Sequence, residues 1–219
     1  MNGDLDTYII WHWLKLHRSV DTVPVFVDLG LEISKFEVSF VSKQFPRFEV
    51  IKNIYLKQNL NQKKSKLFTL SFLVVDYFFS QFDELDIYFG DISYYDNKFK
   101  HYRLLSKTLS KNYSKKVKLI PFSKYKLSKR DLVNWFVSTF STDPKMLYNI
   151  VFNCKSPEVD IECGKCFGCL DKKIAFQDVN FKEFPDLSKL RYLVKTSNHN
   201  RDVVDYALKH KNGKELLCS

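Results

Sequence analysis

The sequence predicts an α/β fold, a mostly parallel sheet with helices on both faces, with a cysteine-rich loop attached to it. Three observations carry that expectation. Short β-rich runs alternate with longer helical patterns along the chain. Hydrophobic residues make up 45% of the 219 residues and aromatic residues 16%, enough to fill a core rich in rings and to exclude a disordered chain. Four of the 5 cysteines crowd into "NCKSPEVDIECGKCFGCLDKK", from Asn153 to Lys173.

The first element is a helix in "NGDLDTYIIWHWLKLHRS", which Asp6 or Thr7 can cap and whose Ile9, Ile10, Trp13 and Leu14 recur at helical spacing. A strand follows in "TVPVFVDLG", then a helix in "EISKFEVSFVSKQF" and a strand in "FEVIKNIYL". "KLFTLSFLVVDYFFSQF" reads as a long apolar helix, with "ELDIYFG" as the buried strand after it and "VKLIPF" as the next strand. Residues 1–150 form the α/β domain on this reading, 151–177 the cysteine loop and the start of a helix, and 178–219 a helical appendage.

Cys154, Cys163, Cys166 and Cys169 have the spacing C-x8-C-x2-C-x2-C, so a tight turn can aim successive sulfurs at one point, helped by Gly164 and Gly168. Four thiolates saturate a tetrahedral zinc and leave no position for water or substrate, which makes the expected metal structural. An iron–sulfur cluster takes the same four ligands and is the lesser alternative, because the spacing is not that of ferredoxins. Lys165, Lys172 and Lys173 are expected to offset part of the site's negative charge.

No stretch approaches the roughly 18 apolar residues of a membrane helix, and "MNGDLDTYII" lacks a secretory leader's basic and apolar regions. A cytoplasmic location follows as an expectation, with the cysteines as metal thiolates rather than disulfides. The net charge of +10 favours a polyanionic partner, although the lysine clusters "NQKKSK", "KTLSKNYSKK" and "KYKLSKR" read as scattered solvated faces. His12 and His17 lie five apart on the first helix, too far round to share a metal.

Asn2, Gly3, Asp4, Leu5, Asp6 and Thr7 precede the first helix, which "VPVFVDLG" follows. With "VKLIPFSKYKLSKRDLVNWF" and "CGKCFGCLDKKIAF", this order of segments resembles the 7-cyano-7-deazaguanine synthases of the ATP pyrophosphatase (PP-loop) group. Their phosphate loop is typically S-G-G-x-D-S. The resemblance covers Met1 to about Phe176 and implies a Rossmann-like, adenine nucleotide alpha hydrolase-like domain.

The implied enzyme uses ATP and Mg to convert 7-carboxy-7-deazaguanine and ammonia to the nitrile, a step of 7-deazaguanine and queuosine biosynthesis. Gly3, Asp6 and Thr7 would line the phosphate site, and Asp28 and Gly30 would face the adenosine. No catalytic residue is singled out.

Asp4 stands where the family has its second glycine and brings a carboxylate to the phosphate site; Asn2 replaces the first serine. The family also places a buried strand before its loop. The printed sequence starts at Met1, so the two strands flanking that place are expected to lack a partner unless another segment supplies one. Two readings follow: an ATP-dependent carbon–nitrogen ligase, or a non-catalytic, zinc-stabilised descendant that binds a protein or nucleic-acid partner through a basic, aromatic surface.

Overall fold

A computed structural model describes residues 4–18, 22–28, 30, 32–52, 63–90, 96–151, 153–154 and 166–176. The chain is α/β. Its elements run α1 (Leu5–His17), β1 (Val25–Asp28), α2 (Glu32–Gln44), β2 (Glu49–Lys52), α3 (Lys63–Phe78), β3 (Glu84–Phe89), α4 (Asp96–Tyr113), β4 (Lys116–Pro121), α5 (Lys129–Phe140), α6 (Pro144–Ile150) and α7 (Phe167–Ala175). Packing divides the chain into two units, Met1–Asn2 with Trp13–Lys126, and Gly3–His12 with Leu127–Ser219. The expected appendage from Asp178 onward lies outside the described residues.

In the first unit the expected single sheet is replaced by two parallel pairs, β1 with β2 and β3 with β4. Each pair is one strand–helix–strand crossover, the arrangement parallel strands require. Among the described residues no strand joins β1 to β3. The two pairs nevertheless share one core: Val25 and Val27 of β1 and Leu85 and Ile87 of β3 pack on the cluster of Ile51, Val74 and Phe78.

Charge and apolar alternation together set the register of β3 on β4. Glu84 and Asp86 stand opposite Lys116 and Lys118, with ion-pair distances of 2.7 and 3.6 Å, while Leu85 and Ile87 stand opposite Val117 and Leu119. Exposed pairs of this kind stabilise little, about 0.2–1 kcal/mol each. A slip of one residue, however, would turn the apolar set outward and set carboxylates against valine and leucine. The other edge of β4 is covered by α4, whose Ser106 and Ser110 hydroxyls accept the Leu119 and Val117 N–H groups at 2.9 and 3.0 Å.

Residues 13–17 of α1 belong to the first unit, where Trp13 packs edge-on against Phe122 and tilted against Tyr125 at 5.2 and 4.7 Å. Ile9, Ile10 and Leu14 are buried as the sequence pattern predicts; Trp11 completes the stripe, and Trp13 is only half-buried. The second unit is helical among the described residues, with α5 packed on both α6 and α7. A capping box starts α5, with the Ser128 hydroxyl accepting from Asp131 N–H and the Asp131 carboxylate from Ser128 N–H. Asp143 caps α6, whose first residue is Pro144.

Candidate metal centre and phosphate loop

The metal centre lies in the second unit, where Cys166 is the N-cap of α7 and Cys169 is its third residue. Positions three apart at a helix start project to one side, so the C-x2-C spacing brings their sulfurs to 3.6 Å. Cys154 follows α6, and its sulfur lies 3.9 Å from that of Cys166. All three sulfurs lie within 4.8 Å of one another. A zinc ion with Zn–S bonds of about 2.3 Å holds tetrahedral sulfurs about 3.8 Å apart, so the trio fits three of four corners. Cys154 and Cys169 are buried and Cys166 is half-buried. Cys163, the fourth expected ligand, lies outside the described residues, as does Lys165.

Lys172 is buried and reaches from α7 to α6. Its ammonium donates to the Val151 carbonyl at 2.6 Å and lies 4.0 Å from the centre of the Tyr148 ring. It thereby ties the end of α6 to α7 and holds the stretch that carries Cys154.

The segment resembling the phosphate loop is organised differently from the expectation. The N-cap of α1 is Asp4, not Asp6 or Thr7: its carbonyl accepts the Tyr8 N–H, and its carboxylate accepts the Thr7 N–H at 3.0 Å and the Thr7 hydroxyl at 2.8 Å. The Leu5 N–H donates to the Asn153 side chain at 2.9 Å. Two of the first-turn donors that would meet an anion are therefore already bonded within the chain.

Asp6 is buried, and its Oδ2 lies 3.0 Å from the Lys129 ammonium, which also bonds the Asp171 carboxylate. The Asp6 Oδ1 is buried without a hydrogen-bond partner. Burial alone would lower the Lys129 pKa, but Asp171 first and Asp6 second hold it above the ordinary lysine range. Burial pushes the Asp6 carboxyl up to about 7, against the pull of Lys129 and with the help of Asp4 and Asp171. Asp171 is thus the firmer counter-ion, and Asp6 the group that takes a proton near neutrality.

A carboxyl raised from 3.8 to about 7 contributes stability that is whole below about pH 4 and is lost as the pH rises through 7, because the folded state binds the extra proton. Asp6→Asn is therefore expected to match the parent near the bottom of that window and to gain on it toward the top. The difference in melting temperature followed across pH checks this; a constant difference would contradict it.

The five residues assigned to a nucleotide fall in different parts of the chain. Gly3 lies outside the described residues; Asp6 and Thr7 belong to the second unit, and Asp28 and Gly30 to the first. Asp28 closes a local turn in which its carboxylate accepts the Gly30 N–H at 2.8 Å, and Gly30 takes φ 69°, a value glycine adopts without strain. His12 sits among Tyr8, Trp11, Phe136 and Phe140, and His17 stacks on Trp13, so the two have separate ring environments.

Sequence reasoning missed Asp4 as a cap and Lys129 as a half-buried, doubly paired cation. The first had a signal, an acidic residue three places before a threonine at a helix start. Comparison with known proteins gives no matching family model, no matching curated protein and no matching solved structure. Among the described residues no helix is long and apolar enough to cross a membrane.

Proposed function

We propose that the chain is a diverged, non-catalytic relative of the 7-cyano-7-deazaguanine synthases, a zinc-stabilised scaffold that acts by binding a partner through its basic, aromatic surface. The observation that carries this reading is the Asp4 carboxylate bonded to Thr7 at the start of α1. It puts negative charge where the resembling enzymes receive phosphate, and repulsion between like charges opposes ATP there. Lys129 adds support, since a lysine neutralised by Asp6 and Asp171 offers no free charge to a triphosphate.

The strand–helix–strand units support a Rossmann-like architecture for the first unit. The sulfur separations support zinc as the metal, and Cys163 supplies the fourth thiolate on the sequence spacing. Such a closed site has no position for substrate, so its role is to hold the second unit together.

Titration calorimetry tests the loss of catalysis. The parent is expected to show no ATP binding, and Asp4→Gly with Asn2→Ser to strengthen it, because backbone N–H groups are freed and a charge is removed. Conversion of 7-carboxy-7-deazaguanine to the nitrile at a rate ordinary for a synthase, abolished by Asp4→Gly, would overturn the reading. Asp4 would then be a catalytic or magnesium-binding residue.

A further inference from the structure

The basic charge is concentrated rather than scattered. From Asn97 to Arg130 the chain has 12 Lys and Arg and no Asp or Glu, so the rest of the sequence is slightly acidic. Most of α4 lies in this block. Lys100, Arg103, Lys107 and Lys111 are exposed on it at spacings of three, four and four residues. At about 100° per residue these four fall within roughly 80° of arc, and at about 1.5 Å per residue they extend along roughly 16 Å of helix.

A solvated helix face is the ordinary explanation for such a row, but such faces usually mix both signs of charge. Near β4 the same chain matches its cations: Lys115, Lys116 and Lys118 pair with Asp83, Glu84 and Asp86. Among the described residues no carboxylate forms an ion pair with any of the four on α4.

The opposite side of α4 is already used. Tyr102 and Leu109 are buried with Val75, Val117 and Leu119, and Leu105 and Tyr113 pack on the same cluster. A membrane-surface helix would have to bury that apolar side in lipid, so the exposed cations are left to meet phosphates from solution.

Beside them, α3 and the residue that follows it expose a row of rings. Phe68, Phe72 and Phe79 are 50%, 42% and 43% exposed, and the Phe68 and Phe72 rings stack at 6.4 Å with an interplanar angle of 18°. Phe72 and Phe79 both contact Tyr113 of α4, at 5.9 and 5.3 Å, which places the aromatic row along the border of the basic helix. The carboxylate in this border, Asp76, accepts the Tyr113 hydroxyl at 3.3 Å.

A duplex offers phosphates to the cations but nothing to the rings, since its bases are stacked on each other. A single strand offers both, and proteins that bind single strands combine a cationic track with rings on which bases stack. We infer that the α3–α4 face binds single-stranded nucleic acid, with phosphates along Lys100, Arg103, Lys107 and Lys111 and bases on Phe68 and Phe72. This rests on the partner-binding reading above and names its partner.

The test is fluorescence anisotropy of the full chain with labelled oligothymidylate and oligouridylate longer than roughly 16 nucleotides. A duplex of equal length and heparin are the competitors. Both single strands are expected to bind and to withstand competition by duplex and heparin. Replacing all four α4 cations by Gln should make the slope of log K against log salt shallower by about 3, at about 0.7 per phosphate contact. Phe68→Ala and Phe72→Ala should each weaken binding about tenfold while leaving the slope in place.

Melting temperatures at the parent value will show that these surface variants are folded. An unchanged slope in the fourfold variant, or equal competition by heparin or duplex, overturns the surface. ATP turnover by a chain that still binds the oligonucleotides overturns the non-catalytic reading and supports the surface. A chain that binds neither ATP nor single strands overturns the surface and leaves the non-catalytic reading in place.

Discussion

Cys169→Ser is expected to remove stoichiometric zinc from the protein and to lower the melting temperature of the helical unit by at least about 10 °C. Cys169 is buried within α7 and its sulfur is 3.6 Å from that of Cys166. A serine hydroxyl is a poor zinc ligand, and thiolates gathered without a metal repel one another and must take up protons. Structural zinc contributes on the order of 10 kcal/mol of apparent binding free energy in small modules. A unit with its own buried residues, among them Leu132, Val133, Phe136 and Leu170, will lose part of that amount rather than unfold outright.

Chelation of the parent should reproduce the effect, and restoring zinc should reverse it. Metal analysis under reducing conditions together with a thermal melt decides the matter. Parent protein purified without zinc, or an unchanged melt in Cys169→Ser, would show that the cysteines hold nothing together.

The elements were legible because each depends on neighbours in sequence. The 3.6-residue pattern of α3 and the apolar runs of β3 and β4 are local signals, and the C-x2-C spacing places Cys166 and Cys169 on one helix turn whatever lies around them. The division into two parallel pairs was not legible, since no local pattern says which strands will be adjacent. The concentration of charge escaped notice because the lysine clusters were read separately, whereas what distinguishes Asn97 to Arg130 is its lack of carboxylates. The polar cluster of the second unit was hidden for a different reason. Asp6, Lys129 and Asp171 lie far apart in sequence, so no spacing connects them, and Lys129 and Asp171 each alone read as an ordinary helix-surface charge.

That cluster makes Lys129→Met the most damaging substitution expected away from the metal centre. The methionine has similar length and fills the stem's place, so the loss isolates the charge. Breaking a buried ion pair by removing one partner costs roughly 3–5 kcal/mol, because the remaining charge is left without compensation. The lower end applies here: the Lys129 side chain keeps 21% of its surface accessible and Asp171 keeps 30%, so water screens part of the charge. Asp6 can also relieve the strain by holding its proton, toward which burial already pushes it. A loss of about 3 kcal/mol in a chain of this size lowers the melting temperature by roughly 6–12 °C. Because Asp6 shares the missing cation, the same substitution should cost less in an Asp6→Asn background, where only Asp171 loses a partner. A double-mutant cycle on thermal or denaturant unfolding measures that coupling. Equal costs in the two backgrounds would mean that Asp6 and Lys129 do not interact, and that the start of α1 owes its burial to packing alone.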